Sequence, residues 1–326
     1  MPKKSSFVFV TTLLSTTIGV SLRSRNTLRF GGTEDIKAYK DSHLAAPKFD
    51  SVSLGVPAIS SEQWVSYEKG LLNSSVSRFS GDPSIEKAAQ YIEAQFRNLG
   101  LTVESEYFDA PVSDSNFRTR NIIARLEGTT SESILVGAHY DSLPVVGPSP
   151  GADDNASGVA TLLSVAYALR HLPNKLKRSV VFVAFSGEEQ GMKGSSHFAL
   201  ESAPSMNIKS AIILDQDGNP GSSRALIYES VGDSNDKLRI IDTLAQSTDP
   251  DISGGFEVNH NGFGSDHVSL TTEANIPSVL VIERENMSFA TKYGHTSKDT
   301  IENIDPTYGS AIARTVAQAT VRLALA

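Results

Sequence analysis

The sequence predicts a single α/β domain with a mixed, largely parallel central sheet flanked by helices. Three observations carry this. Apolar runs such as Val180–Phe185 and Pro277–Ile282 are short and continuous, as strands buried on both faces are. Stretches with helical spacing alternate with them, as in Ser157–Leu169, where Val159, Leu162, Leu163 and Ala166 share a face. The 326 residues are enough to bury one large core.

The elements follow in order. Residues 23–58 have no sustained periodicity and read as a linker or pro-segment. Ser61 is a suitable N-cap for a helix reaching Leu72. The next helix starts with Asp82 as cap and Pro83 in its first turn. It places Ile85, Ala88, Ala89, Ile92, Phe96 and Leu99 on one face and stops at Gly100. Strands are then predicted at Asn121–Leu126 and Ile134–Ala138, the helix at Ser157–Leu169, and the strand at Val180–Phe185. A helix at Met192–Leu200 precedes strands at Ala211–Leu214 and Ala225–Tyr228. Leu238–Ser247 is helical and Pro277–Ile282 is a buried strand. Ala313, Val316, Ala317, Thr320 and Leu323 mark a final amphipathic helix. No internal repeat interrupts this alternation, so residues 59–326 form one domain.

The amino-terminal end reads as a targeting segment. Lys3 and Lys4 precede an apolar stretch from Phe7 to Val20, and Gly19-Val20-Ser21 has the small-x-small form of a cleavage site. This makes residues 1–22 a signal or targeting peptide and the protein secreted or in the secretory pathway. Arg23, Arg25 and Arg29, with no acidic residue before Glu34, also fit an organelle-targeting sequence. Phe7–Val20 is too short for a stable membrane span. A net charge of −8 without a basic patch argues against nucleic acid as a partner.

Chemistry concentrates in His139-Tyr-Asp141-Ser, Gly151-Ala-Asp-Asp154-Asn-Ala-Ser-Gly158 and Ser186-Gly-Glu188-Glu189. There is no cysteine, which leaves imidazole and carboxylate as zinc donors. His139, Glu188 and Glu189, and Asp215 each follow an apolar run, and ligands of α/β sheets bind beyond the carboxyl ends of the strands. Each piece alone has a plainer reading: a hydrogen-bonded histidine, a solvated Glu-Glu pair, an Asp-Asp helix cap. The order His, Asp, Glu, Asp, His is what favours a metal site.

These motifs, with Phe185-Ser-Gly-Glu-Glu-Gln-Gly, Ile213-Leu-Asp215, Ser265-Asp-His and Tyr293-Gly-His295-Thr-Ser-Lys-Asp-Thr, resemble the di-zinc exopeptidases of the bacterial leucyl aminopeptidase type. Aminopeptidase S, glutamate carboxypeptidase and glutaminyl cyclase belong to the same wider family. The likeness runs from about Ser61 to the carboxyl end. It implies the phosphorylase/hydrolase-like fold of zinc-dependent exopeptidases and two Zn2+ per chain. It also implies a metallo-aminopeptidase that removes amino-terminal residues from peptides, using a water or hydroxide shared by the two ions. By the same resemblance His139 and Asp215 bind one ion, Glu189 and His295 the other, and Asp154 bridges them across a cis bond to Asn155. Asp141 orients His139, and Glu188 is the general base and acid.

Glutaminyl-peptide cyclotransferase is the alternative within the family. It resembles a cage walled by tryptophan, whereas Gly294 precedes His295 here and the only tryptophan is Trp64. A carboxypeptidase for acidic substrates wants clustered arginines, but Arg284 is the only one between Arg239 and Arg314. Phe263 stands near the place of a tyrosine that some family members use to stabilise the oxyanion, so either zinc alone polarises the carbonyl or another donor such as Tyr140 or Tyr293 substitutes. Asp217 reads equally as an outer-shell residue or an exposed turn. Asp266 and His267 line the site without ligating, and His43, His171, His197 and His260 are expected at the surface. Asn73 and Asn286 are sequons open to glycosylation in a secreted chain; Asn155 sits within the metal motif.

Overall fold

The computed structural model describes residues 54–326 except 113–114, 144–147, 149, 263 and 285–292. The targeting segment 1–22, most of 23–58, His43, Phe263 and Asn286 lie outside the described residues.

Two helices come first, α1 (Ser61–Ser74) and α2 (Ile85–Asn98). The cap of α1 is Ser60, one residue before the predicted Ser61: its Oγ accepts from the Gln63 backbone N–H. Asp82 and Pro83 form a turn ahead of α2 and do not cap it, since the Ile85 N–H already donates to the Asp82 carbonyl. Ile85, Ala88, Ala89, Ile92 and Phe96 form its buried face, as the spacing predicts, and Gly100 leaves it at φ +71°.

The sheet has the order β1-β2-β4-β3-β5-β8-β6-β7. The strands are β1 (Thr102–Val112), β2 (Ser115–Leu126), β3 (Ser133–His139), β4 (Ser179–Phe185), β5 (Ile208–Asp215), β6 (Leu226–Glu229), β7 (Phe256–Asn259) and β8 (Ser278–Glu283). The inner four, β4, β3, β5 and β8, run parallel. β2 and β6 flank them antiparallel, which makes the sheet mixed as predicted. Strands β1 and β7 and a short helix, α6 (His267–Thr272), are elements the sequence reading did not identify.

The remaining helices are α3 (Gly158–Arg170), α4 (Lys193–Glu201), α5 (Asn235–Gln246) and α7 (Pro306–Leu325). Alternate strand residues point to opposite faces, and two cores result. Ile122, Val136, Phe182, Ile212 and Val281 pack against α1, α2, α3, α5 and α7. Leu135, Val183, Phe185, Ile213 and Leu280 pack against α4 and α6. Strands β3 and β4 are buried along their whole length, which is why they read as unbroken apolar runs. Each large side chain buried this way contributes roughly 1.5–3 kcal/mol, and the sum holds the strand ends in fixed register. No helix among the described residues is long and apolar enough to cross a membrane.

Candidate metal centre

The site forms where three parallel strands end together. His139 is the last residue of β3 and pairs with Phe185, the last of β4. Ala138 pairs with Leu214, so His139 and Asp215, the last residue of β5, sit side by side. The Ser186–Met192 turn then carries Glu188 and Glu189 across the strand ends. Sheet register alone therefore aligns residues 76 positions apart in sequence.

Asp154 enters from the Ala152–Ser157 turn that precedes α3. Its bond to Asn155 is cis, as the resemblance implied. Asn155 anchors this turn: its Nδ2 donates to the Leu214 carbonyl at 2.9 Å, and its Oδ1 accepts from Gly158 N–H at 2.9 Å. Asn155 is fully buried and committed, so its sequon is closed to modification, whereas Asn73 is exposed.

The two oxygens of Asp154 face different histidines. Oδ1 lies 3.4 Å from His139 Nε2, which is also 3.3 Å from Asp215 Oδ1. Oδ2 lies 3.1 Å from His295 Nε2, which is also 3.1 Å from Glu189 Oε2. Two donor triads result, His139–Asp154–Asp215 and Asp154–Glu189–His295, sharing one carboxylate. A single N–H on each ring cannot point at two carboxylates at once. Donor separations of roughly 3.3 Å are what two bonds of about 2.0–2.1 Å at a tetrahedral angle produce. Glu189 Oε1 is a further buried oxygen without a protein partner. On donor chemistry and spacing, the two triads fit a pair of zinc ions.

The electrostatics point the same way. Burial opposes charge on His139, but Asp215 and contacts with Asp141 and Asp154 outweigh it and hold its pKa well above the ordinary histidine range. Contacts with Asp154 and Glu189 push His295 up to about 10. Burial also works against the Asp154 charge, but His139 and His295 more than offset it and lower its pKa. Glu189 is pushed up to about 7 by burial and by Asp154. So many buried carboxylates around one point stay charged together only beside cations.

Glu188 belongs to neither triad. Its backbone N–H donates to Asp141 Oδ1 at 3.2 Å, and the Glu189 N–H donates to Asp141 Oδ2 at 3.3 Å. Burial pushes its carboxyl well above the usual range, against the pull of His139. Asp141 thus holds the Glu-Glu turn by both oxygens while standing 3.6 Å from His139 Nδ1, an ion-pair approach longer than a formed hydrogen bond.

Asp153 turns away from both triads and accepts from the Gly218 N–H at 3.0 Å. Asp217 is fully buried, which excludes the exposed-turn reading. Tyr140 is not a free donor, because its hydroxyl is given to the Arg120 carbonyl at 2.7 Å. His171, His197 and His260 lie in no donor group; His171 is exposed, and His197 stacks on Phe108 at 5.0 Å.

Asp299, to which the sequence assigned no role, is bonded to the turn that carries Asp154. Its Oδ1 accepts from the Asp153 N–H at 2.8 Å and its Oδ2 from the Asp154 N–H at 3.1 Å, fixing the turn that presents the shared carboxylate. The signal was available, since Asp299 lies four residues after His295 in a motif already singled out.

The sequence matches the family model for peptidase family M28 over residues 121–320, more than half of the chain. It is 32% identical over 203 residues to leucine aminopeptidase 1 of Ajellomyces capsulatus, covering 57% of this chain and 51% of that protein. The chain thus spans about half the length of the curated relatives it matches. In fold it resembles a leucine aminopeptidase precursor from Bacteroides thetaiotaomicron, with a TM-score of 0.70, 18% identity and coverage of 82% of this chain and 99% of that one. The glutaminyl cyclase of Porphyromonas gingivalis is similar to the same degree, with a TM-score of 0.70 at 22% identity over 81% and 98% of the two chains. With its fold and the matched region in agreement, the chain belongs to peptidase family M28.

Proposed function

We propose that the protein is a metallo-aminopeptidase with two zinc ions, removing amino-terminal residues from peptides, secreted by way of the segment 1–22. The observation that carries the catalytic reading is Asp154, whose two oxygens face two histidines at 3.4 and 3.1 Å. In this reading His139 and Asp215 would hold one ion and Glu189 and His295 the other, with Asp154 available to both. A zinc pair, when bound, supplies Lewis-acid polarisation of the scissile carbonyl and lowers the pKa of the attacking water.

The chain's own residues do the rest. Glu188 accepts the proton of the attacking water on its carboxylate and delivers it to the departing amine. Its burial makes that carboxylate a stronger base than an exposed glutamate. Asp141 fixes the direction of Glu188 relative to Glu189 through their two backbone N–H groups. The partial exposure of His295, with a side chain 41% accessible, marks the side from which a peptide enters.

Two alternatives lose support. Trp64 is fully buried and donates its Nε1–H to Thr161 Oγ1 at 3.0 Å, so it cannot wall a cyclase cage. Arg284 is tied to Glu257 at 2.8 Å, so it is a poor receptor for a substrate carboxylate. The test is a panel of an aminoacyl amide, an N-blocked peptide and a peptide with amino-terminal glutamine, each with and without chelator. Chelator-sensitive hydrolysis of the aminoacyl amide, with the N-blocked peptide left intact, supports the proposal. Ring closure of the glutamine peptide without hydrolysis would replace it with the cyclase reading.

A further inference from the structure

The stretch between α1 and α2 has no helix or strand from Ser75 to Phe79, and it lies outside the region that matches the family model. It nevertheless reaches the metal centre. Arg78 is fully buried. Its Nε donates to the Tyr140 carbonyl at 2.7 Å, one terminal nitrogen to the Gly151 carbonyl at 2.7 Å, and the other to the Pro150 carbonyl. Tyr140 directly follows His139, and Gly151 lies three residues before Asp154. The backbone adds a reciprocal pair: Arg78 N–H donates to Ser142 Oγ, and Ser142 N–H donates to the Arg78 carbonyl, both at 3.2 Å. Ser80 Oγ donates to Asp141 Oδ2 at 3.2 Å.

One guanidinium therefore spans two segments, each leading to a different metal ligand. A fork with five fixed donors suits this task, and an ammonium does not. The acceptors are carbonyls, so no bonded carboxylate consumes the positive charge. Burial costs the guanidinium and lowers its pKa, and Asp299, Asp141, Asp154 and Glu189 around it offset that cost in part. Gly151 fits this arrangement: at φ +60° an added Cβ would stand 2.8 Å from Arg78 Nη2 and 2.4 Å from the Asp154 carbonyl.

We propose that Arg78 is a positioning residue of the metal centre, holding segments 139–142 and 150–154 at the spacing that lets His139 and Asp154 share an ion. The inference rests on the two-zinc reading. It makes the helical pair before the matched region a working part of the site as well as a cover for the sheet.

The test is zinc affinity, measured by competition with a chelator of known affinity on protein stripped and then reloaded. Wild type is compared with Arg78→Met, Arg78→Lys and Leu71→Ala, a buried core position on α1 that belongs to neither donor triad. Arg78→Met is expected to bind zinc about 10–100-fold more weakly, the usual effect of removing a group that orients ligands. Arg78→Lys keeps the charge without the fork and is expected to recover part of the loss. Leu71→Ala is expected to lower the melting temperature at wild-type zinc affinity. Arg78→Met binding within about threefold of wild type overturns the inference. So does an equal loss in Leu71→Ala, which would make the effect one of general stability. If Arg78→Met does not fold, Arg78→Lys decides: weaker binding supports the inference and wild-type binding overturns it. A wild type that takes up no zinc removes the two-metal reading and this inference with it, so the two failures are told apart.

Discussion

Replacing Glu188 with glutamine removes one proton acceptor and leaves both donor triads whole. Turnover by Glu188→Gln is expected to fall by about 10²–10⁴-fold, the usual worth of a positioned general base, with the zinc content of the wild type retained. Steady-state kinetics paired with elemental analysis checks this; unimpaired hydrolysis would take Glu188 out of the mechanism. His267 offers a pH test. Burial pushes its imidazole down to about 4, and its Nε2–H donates to the Gly262 carbonyl at 3.1 Å. In the unfolded chain it protonates near 6.5, so below that pH the unfolded state binds more protons. Stability is therefore complete above about pH 6.5 and declines towards pH 4, by at most on the order of 3 kcal/mol. His267→Gln, which keeps a donor for Gly262, should flatten that decline in denaturant titrations; equal slopes in the two proteins would exclude His267 as a source. At this scale the sequence was most readable where residues sit in compact motifs. The roles proposed for Asp141 and Glu188 rest on the family resemblance that their motifs carry. The tie between Asp299 and the Asp154 turn was not legible, because nothing in either motif states that residues 145 positions apart are bonded.

Close packing between elements sets the next prediction. A Cβ on Gly309 of α7 would meet the Trp64 ring of α1 at 2.3 Å. Trp64 cannot swing aside without giving up its bond to Thr161 on α3. Alanine gains about 1 kcal/mol of helix propensity, whereas overpacking costs about 1–3 kcal/mol. Gly309→Ala is expected to lower the denaturation midpoint; a raised midpoint would mean that the helices separate freely. Sequence patterns resolved elements according to how uniform their surroundings are. β3 and β4 are buried on both faces and were plain. β1 was missed because its buried residues change face along the strand. Val103 packs into the core on the α1–α2 side, whereas Phe108 stacks on His197 of α4. Period-two alternation is lost at that change. α6 has six residues, too few to establish a helical period.

Across the whole molecule, zinc and protons compete for the same atoms. His139 and His295 hold protons strongly in the metal-free chain because carboxylates surround them. Zinc must displace those protons, so its apparent affinity is expected to rise with pH by about tenfold per unit for each proton released. Calorimetry in buffers of different ionisation enthalpy measures that number; no proton release would mean that zinc binds elsewhere. The fold class was legible because apolar runs alternate with helical periods through the chain. The contribution of residues 75–80 was not, since a single buried arginine in an irregular stretch has no sequence signature. The contact of Trp64 with Thr161 and Gly309 has an optical consequence. The chain holds one indole, placed where α1, α3 and α7 meet, away from bulk water. Its emission is therefore a built-in gauge of whether the amino-terminal helices are docked, readable without any label. A shift to longer wavelength during chelation, while far-ultraviolet dichroism stays constant, would time the loosening of that corner against the loss of zinc.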